Sequence, residues 1–296
     1  MPFKGFREFV PLSAYTTFRI GGPAKYFAEV SSAKAAAEAA ITARNMGVLW
    51  SVIGHGSNLL VSDEGVDKAV IVYKSRRTPK ILDDKRIEVS GGYPLHKLVE
   101  FLALKGFGGL EKLIGIPGTV GGAIAGNAGA YGTCIGDYVE SLDILNEDAD
   151  EIKRSKEDCS FEYRDSVIKR KGEIILKAIL KMHPEDPEIL RNELAAKISD
   201  RRQKHPDPRQ VPTAGSFFKN PKKTGEKRTA AGDMLEKVGC KDLRIGNART
   251  WHKHANIIVT DGPSSSDDIR KLAAEMTERV YDKFQINLIP EVTYLY

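Results

Sequence analysis

Three short stretches of the chain concentrate residue types that can do chemistry. TAGSFFKNP (Thr213–Pro221) sets one hydroxyl, Ser216, beside a glycine, two phenylalanines, Lys219 and Asn220. A serine next to glycine is ordinarily a turn residue. Held in a dry pocket, the same hydroxyl can donate or relay a proton, with Phe217 and Phe218 excluding water and Asn220 contacting a substrate. These residues alone do not choose between the two readings.

GHGSN (Gly54–Asn58) follows a strand-like run and carries two glycines. Glycine permits positive φ and a close approach of backbone to ligand, and successive N–H groups form an anion-binding nest. Ser57 and Asn58 can add side-chain hydrogen bonds to a phosphate. Glycines suit any tight turn, so this signal is weak by itself. The segment GIPGTVGGAIAGNAGAYG (Gly115–Gly132) is different in kind, with seven glycines in eighteen residues among Ala, Ile and Val and almost no charge. A flexible linker carries Ser, Lys or Glu in place of aliphatics. This stretch is therefore expected to be buried, its backbone packed against something flat. Neither loop ends in Gly-Lys-Ser/Thr, which excludes a P-loop. Neither reads as GxGxxG opening a helix, which disfavours an ordinary dinucleotide fold. Two glycine loops some sixty residues apart suit a long cofactor with a pyrophosphate and a broad ring system, such as FAD.

The elements around these stretches are legible from caps and periodicity. SSAKAAAEAAITARNMG is a helix capped by Ser31 or Ser32 and ended by Gly47. VLWSVI is a short buried strand delivering the chain into GHGSN. IEVSGG reads as a strand and PLHKLVEFLALKG as an amphipathic helix ending at Gly106. VESLDIL and GEIILKAILKM read as strands, and a helix starts after Pro187. PDPRQVPTAGSFFKNP is the best linker between a front portion and a smaller C-terminal portion. That portion holds a helix (AAGDMLEKVG), a strand (ANIIVT) and a long helix with Leu272, Met276 and Val280 on its core stripe.

Composition bounds the function classes. A chain of 296 residues suits two or three domains, and 41% apolar with 29% charged residues is ordinary for a globular protein. The net charge of +5 is too mild for a nucleic-acid stripe and fits an anionic small substrate. Cys134, Cys159 and Cys240 make no CxxC pair, so reduced thiols are expected, with neither disulfide nor zinc. His252 and His254 alternate in WHKHAN, but no further ligand completes a metal site. MPFKGFREFV lacks the apolar core of a signal peptide, and no apolar run is long enough to span a membrane, so a cytoplasmic location is expected.

TTFRIGGPA, GHGSNLLV, GIPGTVGGAIAGNAGAYG, YRDS, AGSFFKNP, HKHANIIV and PEV occur in one order along the chain. That order resembles the MurB family, the UDP-N-acetylenolpyruvoylglucosamine reductases of peptidoglycan synthesis, from about Thr16 to Glu291. The resemblance implies an α+β fold. An FAD-binding domain of the vanillyl-alcohol-oxidase/PCMH type is formed by two subdomains (residues 1–75 and 76–200), and a smaller C-terminal α+β substrate domain (201–296) follows. It implies non-covalent FAD, NADPH as electron donor, UDP-N-acetylglucosamine enolpyruvate as substrate and UDP-N-acetylmuramate as product. FAD is then expected at Gly54, His55, Gly56, Ser57, Asn58, Leu59, Pro117, Gly118, Thr119, Gly121 and Gly122. Ser216 corresponds to the family's proton donor, and Arg164 and Glu291 to the pair that faces the substrate carboxylate. Glu291 would have to be protonated or tightly paired in that role. Lys204 in KHPDP corresponds to a substrate-binding lysine, and Asn220 is expected at the substrate. Tyr163 either reaches a substrate oxygen or packs beside the flavin.

Two departures stand out. The family's NTTF is AYTTF here, and the interval between YRDS and KHPDP is too short for the extra tyrosine loop, as in the shorter type II form. A monomer binding no nucleic acid is expected. Two alternatives are another FAD-dependent oxidase or dehydrogenase of the same superfamily, with His55 as a covalent tether, and a non-catalytic nucleotide-binding protein. NADPH oxidation that depends on the enolpyruvyl sugar separates out the second. Acid precipitation separates the first: the flavin is expected in the supernatant, and flavin retained in the pellet overturns the MurB reading.

Overall fold

The computed structural model describes residues 5–222 and 228–296. The chain divides into two compact units, one of Met1–Phe9, Lys25–His55 and Lys68–Arg201, the other of Val10–Ala24, Gly56–Asp67 and Arg202–Tyr296.

In the first unit, strands Trp50–Ile53 and Val66–Tyr73 pair in parallel, Ile53 opposite Val72. Helix α1 (Ala33–Asn45) precedes them. Ser32 Oγ accepts from Ala35 N at 3.1 Å to cap its start, and Gly47 takes φ +67° just past its end. Its buried face is Ala36, Ala39, Ala40 and Ala43, side chains small enough for close packing on a sheet.

The larger sheet of this unit is antiparallel, in the order Glu151–Ser155, Val139–Leu145, Ile174–Lys181, Arg86–Ser90, Lys80–Ile81. Helix α2 (Leu95–Leu104) buries Leu95, Leu98, Val99 and Leu102 in the same core as Ile87, Val89 and Leu180. Each such side chain contributes about 1.5–3 kcal/mol by leaving water. Within the glycine-rich segment lies a helix that the sequence reading did not anticipate, α3 (Val120–Ala125). Two of its six residues are glycines, each worth about 1 kcal/mol against a helix. Burial of Val120, Ala123 and Ile124, with a cap from Thr119, overrides that propensity. Helix α4 (Val167–Lys171) is capped by Ser166, and α5 (Pro187–Lys204) begins with Pro187 itself, where the sequence placed the start just after it.

The second unit carries an antiparallel sheet in the order Thr213–Ser216, His254–Thr260, Ala248–Trp251, Arg244–Ile245. Helix α6 (Ala231–Lys237) and helix α7 (Ser266–Phe284) share its core, α7 through Ile269, Leu272, Ala273, Met276 and Val280. A capping box between Ser265 and Asp268 starts α7. The terminal strand Thr293–Leu295 runs parallel to Leu59–Val61, just after the first glycine loop. The mixture of helices and largely antiparallel sheets is the α+β class read from the sequence.

One polar interaction of the first unit is deeply buried. The Glu173 side chain is fully covered, and Arg154 Nε donates to its Oε2 at 2.8 Å. Glu173→Ala leaves the guanidinium without its counter-charge and is expected to cost about 3–5 kcal/mol, read as a lower urea midpoint at unchanged slope.

Candidate active site

In the first unit the two glycine loops are neighbours. A Cβ at Gly54 would overlap Thr119 Oγ1 and come within 2.9 Å of Thr119 Cγ2. Thr119 is fixed because its Oγ1 accepts from Gly122 N at 3.2 Å. Gly121 N donates to Gly91 O at 2.7 Å, and a Cβ at Gly121 would lie 3.0 Å from that same oxygen. Leu95 N donates to Gly118 O, and Gly118 takes φ +137°. Gly122 is exposed on the first turn of α3, and a Cβ there would meet nothing closer than 3.5 Å. Pro117 is exposed before it. His55 is half-buried; burial is the main cause that lowers its pKa, with Lys74 and His96 adding to the effect. Its imidazole is therefore neutral at pH 7.

Tyr163 and Arg164 form a tight turn in the same unit. Glu162 N donates to Asp165 O at 3.0 Å and Asp165 N to Glu162 O at 3.3 Å. Arg164 takes φ +58°, a position that such turns normally give to Gly or Asn. Strain of this kind, about 1–3 kcal/mol, persists where surrounding contacts hold it. Here the glycine-rich segment supplies them: Ser166 Oγ donates to Ala125 O (2.7 Å), Asn127 Nδ2 to Glu162 O (2.8 Å), and Arg164 Nη2 to Gly129 O (2.6 Å). A Cβ at Gly129 would stand 2.7 Å from Cys134 Sγ and 3.1 Å from Arg164 Nη1. The Arg164 guanidinium carbon lies 5.1 Å from the Tyr163 ring centroid, so the Tyr163 ring packs against its neighbour. Nearby, Arg201 Nε is buried with no hydrogen-bond partner among the described residues. Burial is the main cause that lowers the Arg201 pKa, and the Arg164 charge adds to it.

In the second unit the Ser216 strand and the Glu291 segment are joined main chain to main chain. Glu291 N donates to Phe217 O at 2.8 Å, and Lys219 N to Ile289 O at 2.9 Å. The strand register breaks between Thr213 and Ser216, where Gly215 takes φ +77° with open space around it. A bulge with glycine in the left-handed region re-aims the residue that follows, here Ser216. Phe217 and Phe218 are core side chains, 0% and 2% exposed, and they anchor the strand. The buried Asn256 holds Phe218 at both ends: its Oδ1 accepts from Phe218 N and its Nδ2 donates to Phe218 O, each at 2.9 Å.

The rest of the first glycine loop is tied to the same place. Asn58 Nδ2 donates to Glu291 O at 3.1 Å, and Thr293 N donates to Asn58 O at 2.9 Å. Asn58 thus links the loop to the Glu291 segment, and Leu59 opens the strand paired with Thr293. Gly56 takes φ +61°, and a Cβ on it would overlap Tyr15 O. Ser57 is half-buried between them in sequence. Asn220 Oδ1 accepts from Ala231 N at 3.0 Å at the start of α6, and Arg228 Nη1 donates to Asn220 O at 2.9 Å. Lys204 is exposed at the end of α5, next to His205, whose ring centroid is 5.9 Å from that of His254. Burial lowers the His254 pKa, and its Nδ1 accepts from Asn256 N at 3.2 Å. Among the described residues no group of three His, Cys, Asp or Glu side chains could hold a metal ion.

Residues 24–154 match the FAD binding domain family, and residues 207–295 match the family described as UDP-N-acetylenolpyruvoylglucosamine reductase, C-terminal domain. The UDP-N-acetylenolpyruvoylglucosamine reductase of Caldicellulosiruptor saccharolyticus is 36% identical over 96% of this chain and 90% of its own length. That of Bacillus subtilis is 35% identical over 95% and 91%. The chain belongs to the UDP-N-acetylenolpyruvoylglucosamine reductase family. The crystal structure of the Thermus caldophilus reductase (MurB) superposes with a TM-score of 0.81 at 31% identity, covering 98% of this chain and all of that one.

Two features of the first unit fit the FAD that this family's flavin domain implies. The two glycine loops pack closely enough that Gly54 leaves no room for a side chain beside Thr119, the close approach of loops that a glycine-lined cofactor site uses. Arg201 Nε is a buried donor without an acceptor among the described residues, which an acceptor-rich or anionic ligand would supply. Reading the reductase sequence alone missed Arg201, Asn256, Gly129 and Arg228. Asn256 carried a signal, a polar residue inside the apolar run ANIIV, whereas the burial of Arg201 is a tertiary fact with no local signature.

Gly54→Ala tests the junction of the loops. The added methyl must push Thr119 away, so the variant is expected to purify flavin-poor, with FAD affinity lowered about tenfold or more by fluorescence titration. Adding Thr119→Ala removes the obstructing atoms at the cost of a helix cap, about 1 kcal/mol, and should restore part of the flavin content.

Proposed function

We propose that Ser216 is the proton donor when this reductase converts UDP-N-acetylglucosamine enolpyruvate to UDP-N-acetylmuramate, and that Arg164 and Glu291 attend the substrate carboxylate. The observation that carries this reading is the main-chain pairing of the Ser216 strand with the Glu291 segment, through Glu291 N and Phe217 O at 2.8 Å. Two segments far apart in sequence are thereby set side by side, with the bulge at Gly215 aiming the serine.

FAD held here and reduced by NADPH would supply the hydride that the terminal carbon of the enolpyruvyl group accepts. Electron density left on the adjacent carbon spreads into the carboxylate. The Arg164 guanidinium offsets that charge from a fixed position, since Gly129 O and the Tyr163 ring hold it before substrate arrives. Glu291 serves as the polarising partner on the other segment. Ser216 Oγ then gives its proton to the carbon, and its strand stays rigid because Phe217 and Phe218 are core side chains.

Gly54, His55, Gly56, Ser57, Asn58 and Leu59, with Pro117, Gly118, Thr119, Gly121 and Gly122, would hold FAD, and Arg201 would give it or the substrate a buried donor. Lys204 and Asn220 would bind the substrate diphosphate and sugar. Asn220 is held at the start of α6, where its Oδ1 accepts from Ala231 N. Tyr163 supports Arg164 in this scheme. Cofactor binding is assigned to residues 1–75 and 76–200 and substrate binding to 201–296. The enzyme is proposed to be a cytoplasmic monomer that binds no nucleic acid; among the described residues no helix is long and apolar enough to cross a membrane.

Ser216→Ala separates the two half-reactions. Reduction of bound flavin by NADPH should proceed at the wild-type rate, because it needs no proton donor at carbon. Reoxidation by the enolpyruvyl sugar should slow about 10²–10⁴-fold, the range typical of general acids. Stopped-flow absorbance follows each half, and equal loss in both would make Ser216 a structural residue.

A further inference from the structure

Tyr131 occupies the first central position of a two-residue hairpin turn between Ala130 and Thr133, with φ +51°, and Gly132 follows at φ +80°. Two successive left-handed residues suit Asn, Asp or Gly. A tyrosine is the wrong residue for this backbone, and its side chain explains why it can stay. The ring centroid is 4.3 Å from the Lys197 ammonium and 5.9 Å from the Arg201 guanidinium carbon, and the hydroxyl donates to Asp200 Oδ2 at 2.5 Å. All three partners lie on α5, so one side chain pins the hairpin to that helix. The strands of the hairpin pair Gly129 with Cys134, and Gly129 O is the acceptor that fixes Arg164 Nη2.

We propose that Tyr131 is a positioning residue for Arg164, clamping the hairpin to α5 so that Gly129 O holds the guanidinium in its working orientation. This role rests on the carboxylate-binding function assigned to Arg164. Arg164 and Arg201 are like charges close enough for the Arg164 charge to lower the Arg201 pKa, and the bond to Gly129 O holds the Arg164 guanidinium against that repulsion.

Tyr131→Asn tests this without endangering the fold, because asparagine is a preferred residue for the turn. Its thermal midpoint should equal or exceed that of the wild type, and NADPH should reduce its flavin at the wild-type rate. KM for the enolpyruvyl sugar should rise roughly tenfold to a hundredfold, the scale of a misplaced binding group. Tyr131→Phe, which keeps the ring beside Lys197 and loses the bond to Asp200, should fall between. In an Arg164→Gln background, Tyr131→Asn should add no further loss, because its effect passes through Arg164. A wild-type KM in Tyr131→Asn, or a fully additive loss in the double variant, overturns the role of Tyr131. Wild-type reoxidation in Arg164→Gln alone overturns the carboxylate role itself, so the two failures are distinct.

Discussion

Three hydrogen bonds hold the turn at Arg164 against the glycine-rich segment, and the proposed role of that arginine depends on them. Their acceptors and donors are Ala125 O, Asn127 Nδ2 and Gly129 O, all main chain or a short amide. The segment can come this close only because it lacks side chains where it touches its neighbours, at Gly121 against Gly91 and at Gly129 against Arg164. Its glycines therefore do two things at once. They leave the backbone free of side chains, as the proposed FAD site requires, and they let one strip of chain serve as the mounting for an arginine.

The second unit meets the same requirement by another route. Its main-chain junction between Phe217 and Glu291 sits over a fully buried phenylalanine pair and a buried asparagine whose amide is satisfied at both ends. An unsatisfied amide there would cost about 1–3 kcal/mol, so Asn256 stabilises one geometry and penalises every slip of the strand. Rigidity comes from a core and aim from a single bulge.

Much of this is legible in the amino-acid sequence. Helices α1, α2 and α7 announced themselves through caps and apolar period, and the strands at Val139–Leu145 and Ile174–Lys181 through their aliphatic runs. The strand EIKRS (Glu151–Ser155) was not legible, since an edge strand with a charged solvent face has neither a helical nor an alternating apolar pattern. Helix α3 was hidden because its glycines argue against a helix and only its packing argues for one. The candidate residues themselves were visible as motifs, but their partners were not. That Asn58 reaches Glu291, or that Gly54 exists to spare Thr119, involves residues distant in sequence and no local composition reports it.

The left-handed backbone at Arg164 has a consequence for anyone improving this protein's durability. Glycine or asparagine at that position would relax the turn, so a screen that rewards only heat resistance will favour replacing an arginine on which activity is proposed to depend. If the proposed role holds, Arg164 is a position that a stability-led redesign should keep despite its strained backbone.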